Sequence, residues 1–283
     1  MKAYFQNRFA RIYPLYFFSL ALAFPLFLYF ESKTNPHYLS TVIEVGISSV
    51  FMIQSWNYSW LLHLNPPTWS LAVEALLYLI FPLLLAFLQS KNKLFLISAQ
   101  VVIYVASMVF FFNLINNLTQ GQVNIPYMHI PTFTLGIIAG LLLGKKEMNF
   151  LKFQNSTKSS LIFGLVIVSL SLFLIFGNNN EDLLNLGLLS PFYIFIFLLL
   201  ANNSNLLSAK ILVRLGEISY AIYLLHQPLR SYLSLLFKYV DINNYYLQFG
   251  IYLVVLIALS NCVYLYLELP LHKKLKYKFA KND

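Results

Sequence analysis

The stretch Asn65–Ala86, NPPTWSLAVEALLYLIFPLLLA, decides the fold. Its apolar run is long enough for a membrane-spanning helix, about 20 residues. One carboxylate, Glu74, sits inside it, with no other charge nearby. A carboxylate at membrane depth costs roughly 2.5–3.5 kcal/mol on insertion scales, so it faces a polar cavity or a partner. Ser70, Glu74 and Tyr78 recur at i, i+4, i+8 and share one helical face. From spacing alone two readings stand side by side. One is a buried Glu that fixes packing against a neighbouring helix; the other is a functional cavity.

The rest of the chain agrees with a membrane environment. Of its 283 residues 59% are hydrophobic and only 10% charged, with mean hydropathy +0.68, where a soluble domain carries about 25% charged residues. That composition predicts an all-α, polytopic transmembrane helix bundle of about eight spans in one domain, residues 1–283. The net charge of +9 reads as a topological signal beside the spans, not as nucleic-acid binding. The lone Cys262 excludes an intramolecular disulfide and a multi-cysteine metal site. No cleavable signal is evident in MKAYFQNRFARIYP, so the first span is expected to serve as its own insertion signal.

The spans are expected near residues 12–30, 68–88, 94–114, 126–143, 161–176, 186–201, 215–237 and 247–267. Polar loops are expected at 31–40, 115–125 and 177–182. The apolar segment 41–53, with Glu44, is too short to span and reads as interfacial or re-entrant. An inside N-terminus places 16 of the 19 basic residues on the inner side, which favours N-in and C-in. Making 41–53 a full span would put Lys91 and Lys93 outside.

Several other side chains could carry chemistry. Arg8 and Arg11 lie three apart where span one begins; they read as a positive-inside anchor on lipid headgroups or as a bidentate clamp for an anionic cofactor. His226, inside GEISYAIYLLHQPLR, shares a face with Ser219 and Tyr223, as a proton relay or as a His satisfied by its neighbours. Pro228 should break that helix. Glu268 is expected to end span eight in a salt bridge with a nearby Lys. Gly136 and Gly140 have the spacing of close helix packing. His63 and His129 fall near the outer boundary and could meet an external substrate; His37 and His272 are expected to be solvated. No His and carboxylate pair has metal-ligand spacing, so no metal is expected.

Taken together these segments resemble the acyltransferase-3 family of integral membrane O-acyltransferases. The resemblance rests on Arg8-Phe-Ala-Arg11 then Ile12-Tyr-Pro14, Trp69-Ser-Leu-Ala-Val-Glu74 then Leu77-Tyr78 and Phe81-Pro82, Ile218-Ser-Tyr220-Ala-Ile-Tyr223-Leu-Leu-His226-Gln-Pro228, and Glu268-Leu-Pro270. Four pieces in this order cover essentially the whole chain. The resemblance implies transfer of an acyl group, commonly acetyl, from a cytoplasmic acyl-CoA co-substrate to a hydroxyl of an extracytoplasmic glycan or glycolipid. No bound cofactor and no nucleic-acid partner are implied. It places membrane lipid around a multi-pass protein of the bacterial inner (plasma) membrane. It assigns Arg8 and Arg11 to the CoA phosphates, and Trp69, Ser70, Tyr78, Tyr220 and Tyr223 to the substrate cavity. Glu74 and His226 become the supporting catalytic groups.

The family usually carries two further spans before its R-x-x-R pair, the first with a basic residue and, about ten positions on, the His thought to be the general base. Residues 1–11 cannot hold two helices, so an N-terminally incomplete chain is expected. Two other functions fit the same residues: a catalytically incomplete remnant or partner, and a glycolipid transporter or flippase using the polar stripe as its path.

Overall fold

A computed structural model of the protein describes residues 1–57, 59–114, 125–144 and 209–281. The expected loop 115–125 lies almost wholly outside them, and the spans expected at 161–176 and 186–201, with the 177–182 loop, lie wholly outside. The described residues form helices α1 (Lys2–Thr34), α2 (Tyr38–Val50), α3 (Trp69–Gln89), α4 (Lys93–Leu114), α5 (Ile130–Gly144), α6 (Lys210–Tyr239), α7 (Tyr245–Val263) and α8 (Leu269–Lys281), with short 3-10 turns between some of them. Strands are absent among the described residues. Three helical stretches, Lys2–Thr34, Pro66–Gln89 and Tyr245–Phe279, are long and apolar enough to cross a membrane.

The chain divides into two compact units, Met1–Ala72 with Ile211–Asp283, and Val73–Lys210. In the first, α1 buries one stripe (Tyr16, Ser19, Leu20, Ala23, Leu26 and Phe27) at helical spacing. The opposite side exposes Phe9, Phe17, Phe24 and Leu28. A helix apolar all round suits hydrocarbon outside as well as protein inside.

Hydrogen bonds set the directions within this unit. Tyr220 donates to the Ile12 carbonyl at 2.8 Å and Tyr232 to that of Leu22 at 3.0 Å, so α6 runs parallel to α1. Arg214 donates to Asn261 Oδ1 at 2.6 and 3.0 Å, and Tyr252 to the His226 carbonyl at 3.2 Å, so α7 returns antiparallel. Helix α8 continues from α7 and lies against α1. Arg8, Arg11, Arg214 and the lysines of α8 therefore gather at one end, with Glu31, His63, Lys238 and Asp241 at the other.

Helix α2 runs back along α1 and stops at Val50. The last carbonyls of a helix lack intrahelical donors; here Tyr13 donates to Val50 O at 3.1 Å and Tyr16 to Ser49 O. The chain then reverses at 51–55, where Met52 takes a left-handed φ of 57°. The segment 41–53 thus lies in a helix of 13 residues and the reversal that follows it.

Three expectations change. The helix α1 runs on to Thr34, so Glu31 is helical and the loop shrinks to about Asn35–His37. Pro228 does not break α6, which continues to Tyr239. Proline removes the bond to the carbonyl four residues back, that of Leu224, and Asn65 Nδ2 donates to this carbonyl at 3.1 Å. Helix α7 passes through a π-turn, Tyr264–Glu268, straight into α8. The extra residue of such a turn falls just before Pro270, where an α-helix would suffer the same loss.

The second unit packs α3, α4 and α5 around Leu88, Leu96, Ile137 and Ile138. The rings of Phe81 and Phe133 meet edge to face at 6.0 Å.

Candidate active site

The first unit holds a chain of buried polar side chains between α1, the 51–68 segment and α6. Gln54 Nε2 donates to the Thr68 carbonyl at 2.9 Å and lies 3.3 Å from the Tyr16 hydroxyl. Thr68 donates to the Asn65 carbonyl at 2.7 Å. Asn65 Nδ2 reaches both Leu224 O and, at 3.3 Å, Ser19 Oγ. A carbonyl only accepts, which fixes the Asn65 amide orientation and leaves Oδ1 as an acceptor. That Oδ1 and Gln54 Oε1 are buried without a hydrogen-bond partner among the described residues.

Tyr223 donates to the Pro67 carbonyl. Ser70 Oγ stands 2.7 Å from the same hydroxyl, so Ser70 donates to it and keeps its own lone pairs. Tyr220 is likewise committed as a donor to α1. Both tyrosines thus hold α6 in place with their protons and retain only acceptor capacity. Trp69, half-buried, accepts a hydrogen bond at its carbonyl from Ser55 Oγ at 2.7 Å.

His226 is half-buried on α6, and its Nδ1 lies 2.7 Å from the Tyr223 carbonyl. Nδ1 must carry the proton, which leaves Nε2 of the neutral ring as an acceptor. Its ring is 6.1 Å from that of Tyr223. Ser219, expected on the same face, is exposed and turns back to the Gly216 carbonyl at 2.8 Å.

In the second unit Glu74 Oε2 accepts from the Tyr78 hydroxyl at 3.1 Å, the i, i+4 pair that the spacing predicts. Both are half-buried. His129 closes a 3-10 turn ahead of α5.

At the cationic end the guanidinium of Arg8 stands 5.5 Å from the Tyr4 ring, and Arg11 is exposed. The lysines of α8 share this end. Glu268, expected in a salt bridge there, instead has its Oε2 buried with no hydrogen-bond partner among the described residues.

Sequence reasoning underweighted the opposite end. A cavity of about 160 Å³ is lined there by Glu31, His63, Asn65, Gln227 and Ser231 among apolar walls that include Phe27 and Phe30. In the sequence Glu31 reads as loop polarity, and His63 as one boundary histidine. The signal that joins them is the helical continuation of α1 to Thr34.

The described residues are helical, with three stretches long and apolar enough to cross a membrane and a cationic end to the first unit. The chain belongs to the acyltransferase family described as "Acyltransferase domain", which it matches over residues 1–265. It is 30% identical over 234 residues to ORF330 of Acidianus two-tailed virus, named provisionally as an acetyltransferase; the match takes 80% of this chain and 64% of that one. It is 24% identical over 307 residues to O-acetyltransferase OatA of Staphylococcus aureus strain NCTC 8325, covering 96% of this chain and 47% of the relative. The chain thus spans about half to two thirds of the length of these relatives. No solved structure matches it.

Proposed function

We propose that the protein transfers an acyl group, acetyl in keeping with its relatives, from a cytoplasmic acyl-CoA to a hydroxyl of an extracytoplasmic carbohydrate. It would do so as a multi-pass protein of the plasma membrane, with about eight spans and both termini inside. The observation that carries this reading is the polarity of the first unit. Arg11 and Glu31 stand about 30 Å apart along α1 at about 1.5 Å per residue, close to the thickness of a bilayer hydrocarbon core, about 30 Å. Cations at one end suit CoA phosphates, which Arg binds in bidentate fashion. Polar side chains at the other suit a neutral hydroxyl acceptor.

In the reaction the acceptor oxygen attacks the thioester carbonyl. The new C–O bond forms, the C–S bond breaks, and the hydroxyl proton passes through a base to the departing thiolate. His226, with Nδ1 fixed by a carbonyl and Nε2 facing away from it, is suited to orient or hold that proton. Glu74, bonded to Tyr78, is the carboxylate candidate.

The test uses the full chain in proteoliposomes with radiolabelled acetyl-CoA on one side and glycan on the other. Label should move into glycan. Arg8→Ala with Arg11→Ala should raise KM for the acyl donor about tenfold or more, the loss of charge-assisted hydrogen bonds. Passage of unmodified glycan without labelling would instead support a flippase and overturn the transferase reading.

A further inference from the structure

The cavity at the Thr34 end of α1 has features that the reaction scheme leaves unused. His63 Nδ1 lies 3.2 Å from Glu31 Oε1. A carboxylate only accepts, so Nδ1 carries the proton and Nε2 of the neutral ring is left as an acceptor. Glu31 is itself held: its Oε2 accepts from Asn35 Nδ2 at 3.3 Å. Asn65, only 2% exposed, lines the same cavity and holds an Oδ1 with no partner among the described residues. Gln227 and Ser231 can donate or accept. The remaining walls are Ala23, Leu26, Phe27, Phe30, Leu64, Pro66 and Pro228, with the Phe27 ring edge to face on His63 at 6.3 Å.

Three points narrow the ligand. His63 Nε2, an acceptor when the ring is neutral, calls for a ligand that donates, as hydroxyls do. Among the cavity's lining residues there is a carboxylate but no Lys or Arg, which disfavours a phosphate or carboxylate ligand. The aromatic and proline walls suit C–H faces, which a sugar ring presents between its hydroxyls. The volume is ample, since roughly 10–15 Å³ of such space holds one water.

We propose that this cavity is a carbohydrate-binding site that seats the acceptor, with His63 receiving a hydroxyl hydrogen bond and Glu31 acting as the positioning residue that fixes the His63 ring. The assignment of the ligand as the acceptor rests on the acyl-transfer reading; the binding itself does not.

The test is binding without any acyl donor. Full-length protein in nanodiscs is probed with methyl glucoside by saturation-transfer NMR, with inorganic phosphate as competitor. Wild type should give saturation transfer that phosphate leaves unchanged. His63→Gln, a change at an exposed side chain that needs no repacking, should weaken binding about fivefold to tenfold, the share of one hydrogen bond. Ser231→Trp should abolish it by filling the cavity, and thermal denaturation checks that this variant stays folded. No transfer in wild type, equal transfer in wild type and His63→Gln, or displacement by phosphate would each overturn the proposal. Where the proteoliposome assay shows acyl transfer but the acceptor KM is the same in wild type and His63→Gln, this site fails and the transferase reading survives. Where methyl glucoside binds as expected but no acyl group moves, the binding site stands and the transferase reading fails.

Discussion

The two units bury different chemistry. The first hides Ser19, Gln54, Asn65 and Thr68, each 2% exposed or less, in one hydrogen-bonded chain with Tyr16. A described cluster of the second is Leu88, Leu96, Ile137 and Ile138, and its buried Thr134 bonds to the Ile130 carbonyl of its own helix, at 2.8 Å. Apolar packing tolerates small slips between helices. A buried polar group with one correct partner does not, because the mismatch strands a donor or an acceptor. Among the described residues, the first unit is the one whose register such a network specifies.

Substitutions put this contrast at risk in graded steps. The largest effect belongs to the carboxylate in the apolar wall of α3. Glu74→Gln should cut acyl transfer on the order of 10²-fold or more while leaving insertion intact; unchanged label in the glycan would remove Glu74 from the chemistry. Next, Asn65→Ala leaves the Leu224 carbonyl without its donor beside Pro228, and should cost about 1–3 kcal/mol of stability, read as a lowered midpoint of unfolding in mixed micelles. A stability change near zero would mean that α6 tolerates the proline without help. Smallest is Thr134→Val in the second unit. Its hydroxyl serves a carbonyl of its own helix, so the change should stay within about 0.5 kcal/mol.

Local patterns carry far in this sequence. The apolar run predicts a span over 68–88, and the helix is Trp69–Gln89. The i, i+4 spacing of Glu74 and Tyr78 corresponds to a hydrogen bond. What local pattern misses is non-local. Pro228 reads as a breaker because its remedy, Asn65, forms a bond that spans 159 residues of chain. Glu31 reads as loop because its partner His63 belongs to another segment. The run past Glu268 is hidden by a π-turn that no periodicity of 3.6 reports. Of the candidate site residues, spacing reveals the faces, but not that Tyr220 and Tyr223 spend their protons on backbone carbonyls.

If the first unit carries donor and acceptor as described, its cationic end and its Glu31–His63 cavity face opposite sides of the membrane. Cys262 is the chain's one cysteine and is exposed. In a Cys262→Ser background, single cysteines at Lys276 (Lys276→Cys) and Thr34 (Thr34→Cys) can be labelled with a membrane-impermeant maleimide in intact cells and then after lysis. The Thr34 position should label in intact cells, and the Lys276 position only after lysis. Labelling of both positions from the same side would contradict the opposed arrangement and, with it, transfer across the membrane.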